Sequence, residues 1–157
     1  MKKLFILAIV VLGFTAVSFA QIGTASATLG YVLTVSQTTP LNFGSISLPT
    51  NATPSTINMT SAGVVTPIAG TAIPIASTRA VGSFLVSGVP LSSVDVTVAP
   101  TITLSDGLTI ATDGIFADVI LDASGVSNVL VYGVLTVPGL PLTSGVKAGT
   151  YAVTVNY

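Results

Sequence analysis

"SVDVTVAP", residues 93–100, is the stretch on which the fold assignment turns. Val94, Val96 and Val98 alternate with Ser93, Asp95 and Thr97, the period by which a strand sends successive side chains to opposite faces. A helix would need apolar residues three and four apart, and would scatter these valines around its circumference. Pro100 then brings no backbone N–H to a ladder, so the strand ends there.

The same two-residue period recurs in both directions. "GSFLVSGVP" (82–90) and "VSNVLVYGVLTVPG" (126–139) are strand runs ended by Gly and Pro. "LNFGSISL" (41–48) reads as a strand with Leu41, Phe43 and Ser45 on one face, and "TINMTSAGVVTPI" (56–68) follows a turn-rich stretch. Gly44 suggests a bulge and Gly88 a turn. In "GTAIPIAS" (70–77), Pro74 restricts the segment to an edge or bulged strand. Asp106-Gly107 and Asp113-Gly114 each signal a hairpin, because both residue types tolerate positive φ. The first alternating run puts Ala25, Ala27, Leu29, Tyr31, Leu33 and Val35 on one face; the last, "GTYAVTVNY" (149–157), does the same with Tyr151, Val153, Val155 and Tyr157. The expectation is one all-β domain, a sandwich of about 8–10 antiparallel strands.

Residues 1–20 stand apart. Lys2 and Lys3, the apolar run Leu4–Val17 and the small residues of Ser18-Phe19-Ala20 form the pattern of a cleaved bacterial-style signal peptide. Export is therefore expected, with a polypeptide starting at Gln21 that is not embedded in a membrane. Beyond the leader, Arg79 and Lys147 are the only bases, and Asp95, Asp106, Asp113, Asp118 and Asp122 the only acids. Charged residues make up 6% of the chain, against roughly 25% in ordinary soluble domains, and a basic footprint for nucleic acid is absent. There is no Cys, His or Glu. That excludes disulfides, thiolate or imidazole metal sites and His-based triads. Asp106, Asp113 and Asp122 precede Gly or Ala-Ser-Gly and read as turn residues; no calcium-loop spacing occurs. No enzyme, cofactor or metal is expected. Asn51 and Asn58 match the glycosylation acceptor pattern by chance composition. An outer-membrane barrel would suit the alternation, but Trp and long polar loops are lacking.

"PLNFGSI" (40–46), "GSFLVSGVP" (82–90) and "AGTYAVTVNY" (148–157) together resemble a set of secreted bacterial β-sandwich proteins grouped as a domain of unknown function. Those in turn are similar to spore-coat-U and archaic chaperone–usher pilin subunits. The resemblance implies an immunoglobulin-like, pilin-like sandwich, residues 36–157, with one strand supplied in trans by the N-terminal extension of a neighbouring copy. It implies a donor segment over residues 21–35, with Ala25, Ala27, Leu29, Tyr31 and Leu33 inserting side chains. Tyr151, Val153, Val155 and Tyr157 would form the terminal edge strand beside the acceptor groove. A periplasmic chaperone and an outer-membrane usher are the implied partners, and a fibre or coat at the cell surface the implied product. The cysteine that such pilins carry after the donor strand is missing from "TVSQTTPLNFG" (34–44). Pairing of the first strand within its own domain therefore stays open, as does the alternative of a self-contained exported domain that binds surface polysaccharide or protein.

Overall fold

The computed structural model describes residues 26–27, 30–113 and 118–157. The chain divides into a first unit, residues 1–30, and a second, residues 31–157; the architecture below is that of the second. The leader, residues 1–20, and Ala25 and Leu29 of the donor segment lie outside the described residues.

Ten strands are present among the described residues: β1 (Thr34–Thr39), β2 (Ser55–Met59), β3 (Val65–Ala69), β4 (Gly82–Ser87), β5 (Ser93–Val98), β6 (Thr101–Thr103), β7 (Thr109–Asp113), β8 (Val119–Ile120), β9 (Val126–Val137) and β10 (Val153–Asn156). Every pairing between them is antiparallel. The larger sheet runs β1-β4-β9-β2-β3, with β7 also on β9 and β6 on β7; the smaller runs β10-β5-β8. The two pack face to face as a β-sandwich.

β9 is the spine. Val126–Val131 pair with β4, and Gly133–Val137 lie between β2 and β7. Its inward residues therefore feed two apolar clusters. Val129 and Val131 meet Phe84 and Val86 of β4 and, from the other sheet, Val94, Val96 and Val98. Leu135 and Val137 meet Ile57, Met59, Ile102 and Ile110. Leu41 and Tyr151 pack against both clusters.

β5 alternates between exposed and buried as its sequence requires. At Ala99-Pro100 the chain crosses from the small sheet to the large one. The Pro100 carbonyl accepts from the Thr112 N–H at 3.0 Å, and the Thr112 hydroxyl donates to the Ala99 carbonyl at 2.9 Å. Asp106-Gly107 closes the β6–β7 hairpin with both φ positive, 58° and 73°, as the dipeptide suggests.

Three local expectations are corrected. Asp113-Gly114 does not join paired strands: β7 pairs with β6 and β9, whereas β8 pairs with β5. The chain changes sheets there, because β7 is already hydrogen-bonded along both margins. "LNFGSISL" forms only single bridges, Asn42 to Ala80 and Ile46 to Pro74. Gly44, at φ 77°, interrupts the alternation, so Ile46 rather than Ser45 follows Phe43 to the core. The opening strand starts at Thr34 instead of near Ala25: residues 30–33 are not in a strand.

Gly133 sits mid-spine at φ 153°, and a Cβ there would lie 2.0 Å from the Ala111 carbonyl oxygen. Gly133→Ala is expected to cost about 1–3 kcal/mol through forced displacement of β7, measured as a lower denaturation midpoint with an unchanged slope.

Candidate functional site

The first and last strands of the sandwich are both outermost in their sheets. Among the described residues β1 pairs only with β4, and β10 only with β5. Leu33 and Val35 from the opening ribbon and Val153 and Val155 from the closing one cover the same apolar cluster, and β1 and β10 touch. The Ala99 N–H donates to the Ala152 carbonyl at 3.3 Å. Antiparallel alternation then turns the backbone N–H and C=O of Val153 and Val155 away from β5, to an outer margin that no described strand covers.

Other margins carry obstacles to strand addition. β3 contains Pro67, β8 is only two residues long, and β6 is flanked by the final ribbon, where the Ser105 N–H donates to the Ala148 carbonyl at 3.1 Å. β1 ("TVSQTT") and β10 ("VTVN") hold neither proline nor charge, the two usual guards of an edge.

Tyr151, Val153 and Val155 are half-buried, as alternation requires. Tyr151 meets Phe84 edge to face at 5.9 Å. Its hydroxyl is buried without a hydrogen-bond partner. Burial pushes the Tyr151 phenol up, and the nearby Gln37 side chain offsets part of that shift. Tyr157 is 60% exposed, yet its hydroxyl accepts from the Val89 N–H at 2.8 Å and pins the last residue to the β4–β5 turn. A Cβ on Gly88 would lie 2.6 Å from that hydroxyl, so a side chain at 88 would displace the Tyr157 ring from this position.

Among the donor-segment residues, Ala27 is exposed and outside any strand, and Tyr31 is 66% exposed. Leu33 differs: it packs on the core of its own chain.

Farther along, the two ribbons part around a cleft of about 480 Å³. Phe43, Leu108, Leu135 and Val137 form its floor; residues 43–48 and 142–147 form its walls. Sequence reasoning missed this feature. "GLPLTSGVKAG" (139–149) reads as loop, and nothing in it signals a wall. Asp106 accepts from the Lys147 ammonium and, at 2.6 Å, from the Thr143 hydroxyl; Lys147 also donates to Thr143 at 2.8 Å. Asp122 serves its own turn, accepting from the N–H groups of Ser124 and Val126 at 2.8 and 3.0 Å. Arg79 donates to the Ile75 carbonyl at 3.1 Å. Among the described residues no group of three or more acids could hold a metal ion, and no helix is long and apolar enough to cross a membrane.

A family model described as a domain of unknown function, DUF4402, matches residues 33–157. The chain belongs to that family. No curated protein and no solved structure matches it. The DUF4402 match starts one residue before β1 and runs to the last residue, so it takes in all ten strands and both ribbons.

Two ionisable groups tie this DUF4402 domain's closing ribbon to pH, with opposite signs. Lys147 and Thr143 hold the Asp106 carboxyl below its ordinary value, so its contribution is present above that value and fades as pH falls through the native one. Tyr151 has a raised phenol, so its contribution is full below about pH 10 and is lost as pH rises through the native value. Denaturation midpoints measured across pH should show the acid loss vanish in Asp106→Asn and the alkaline loss vanish in Tyr151→Phe.

Proposed function

We propose that this chain is an exported structural subunit of a surface fibre or coat, without catalytic activity, that polymerises by β-strand addition. The N-terminal segment of one copy adds to the uncovered margin beside the closing ribbon of the next. The observation that carries this reading is the pair of unguarded outermost strands, β1 and β10, over one apolar cluster. Strand addition would give main-chain hydrogen bonds for affinity and alternate side-chain pockets for specificity.

Further support lies in the alternation of Ala25, Ala27, Leu29 and Tyr31 ahead of the domain, the leader-like residues 1–20, and the likeness of "PLNFGSI" and "AGTYAVTVNY" to pilin-like subunits. Burying a Leu or Val side chain contributes roughly 1.5–3 kcal/mol, so a few inserted side chains would hold copies together without disulfides. A periplasmic chaperone would cover the same margin in transit, and an outer-membrane usher would exchange it for the next subunit. The fibre would then lie at the cell surface.

One observation favours a second reading. Leu33 packs within its own chain, which suits a self-contained exported domain whose apolar cleft binds surface polysaccharide or protein. The two readings part on oligomeric state. Deleting residues 21–32 should abolish polymers seen by electron microscopy while leaving the unfolding free energy within about 0.5 kcal/mol of the parent. A peptide of residues 21–33 should then bind the shortened chain. A full chain that stays monomeric at all concentrations would rule out the polymer.

A further inference from the structure

One end of the sandwich gathers exposed apolar side chains. Val89 and Leu91 stand on the turn between β4 and β5, and Ile120 ends β8 beside it, where the Leu121 N–H donates to the Ser92 carbonyl at 2.9 Å. Tyr157 reaches the same turn through its bond to the Val89 N–H. Tyr31 and Val32 lead into the domain there, since the Leu33 Cδ1 would lie 3.0 Å from a Cβ on Gly88. All six side chains are exposed. Contiguous apolar surface of this kind marks a contact site.

The chemistry of the turn says what it fits. The Gly88 N–H donates to the Gly125 carbonyl at 2.8 Å, the Leu91 N–H to Asp122 at 3.1 Å and the Ser92 N–H to Val89 at 3.2 Å. Tyr157 takes the Val89 N–H, and Pro90 has none. The Ser92 hydroxyl donates to the Val89 carbonyl at 2.7 Å. Every N–H of residues 88–92 is thus matched inside the chain. A protein partner that binds through backbone would find no donor, whereas hydrocarbon requires that none be left over. Charge is kept away as well. Asp122 spends its carboxylate on the amides of Ser124 and Val126, and Asp95 accepts from the Asp118 N–H at 3.5 Å farther along the small sheet. Arg79 and Lys147 are engaged elsewhere.

Leu91 adds an independent sign. Pro90 holds φ at about −65° and Leu91 sits at φ 58°, the signs of a type II turn, whose third residue is ordinarily Gly or Asn. A leucine in that conformation costs folding stability, yet its side chain is 72% exposed and returns nothing to the core. We infer that this end of the sandwich, led by Leu91, docks on the surface of a lipid bilayer and dips its side chains into the headgroup–acyl boundary without crossing it. Tyr31 and Tyr157 suit that boundary, each with an apolar ring and a polar tip. With no basic side chain at this end, attachment draws on apolar burial rather than on attraction to anionic lipid. The inference stands apart from strand addition, which uses backbone margins along the sheets instead of side chains at their end.

The chain has no tryptophan, so one introduced indole reports alone. In the chain from Gln21 onward, the emission of Leu91→Trp should shift to the blue when phosphatidylcholine vesicles are added, and brominated acyl chains should quench it. Ile68→Trp, at a position 62% exposed on β3, should show neither effect. Co-sedimentation with the same vesicles should weaken about five- to tenfold in Leu91→Gly, the scale of one leucine returned to water. The urea midpoint of Leu91→Gly should hold level or rise, because glycine adopts the positive φ freely; a merely structural leucine would give a fall. Raised salt should leave co-sedimentation undiminished. Emission of Leu91→Trp that ignores the vesicles, equal quenching in both tryptophan variants, undiminished binding by Leu91→Gly, or binding that salt removes would each overturn the inference. A shift in Leu91→Trp that needs no lipid and grows with protein concentration would overturn it too, and would assign this end to contact between copies.

Discussion

The ladder along β9 is the constraint on which the rest depends. Without cysteines and with few charges, the domain is held by backbone pairing and by apolar burial that the pairing directs. Twelve residues of one strand carry β4 at one end and β2 and β7 at the other. A two-residue period along such a strand puts Val129, Val131, Leu135 and Val137 on the same face, so one element supplies both halves of the core. Gly133 marks the handover, where the neighbouring backbone comes too close for any side chain. Fixing β9 also decides which strands are outermost, since β1 follows β4 and β3 follows β2.

The margins are unequal for chemical reasons. Pro67 removes a donor from β3, and the last ribbon shields β6. β1 and β10 are different: Leu33, Val35, Val153 and Val155 of the two ribbons cover the core, while no described strand is hydrogen-bonded to their outer margins. Each side chain that seals the core also fixes the strand, and so keeps the unpaired margin rigid and presentable. Tyr157 ties the closing ribbon to the β4–β5 turn through its bond to the Val89 N–H.

Much of this was legible in the sequence. The valines of β5 and the inward set of β9 could be read from period alone, and Asp106-Gly107 from turn chemistry. The ribbon Tyr151–Tyr157 was visible as an alternating strand. Elsewhere local signals lost to topology. Asp113-Gly114 resembles a hairpin, but β7 already had partners on both sides. Gly44 moved Ile46 into the position that alternation assigned to Ser45. Leu33 looked equivalent to Leu29, yet it belongs to the domain, because the Thr34–Ser87 pairing draws the chain onto β4 just after it. The cleft left no trace in residue order. Its floor comes from positions 43, 108, 135 and 137, and only folding brings them beneath a loop whose composition signals nothing.

Amide hydrogen exchange on the full chain, below and above the concentration at which copies associate, tests the central claim most directly. The account predicts that the Val153 and Val155 amides, which no described strand of the same copy pairs, become protected as concentration rises, together with those of residues 25–32. Exchange at these positions that stays the same at every concentration would contradict it.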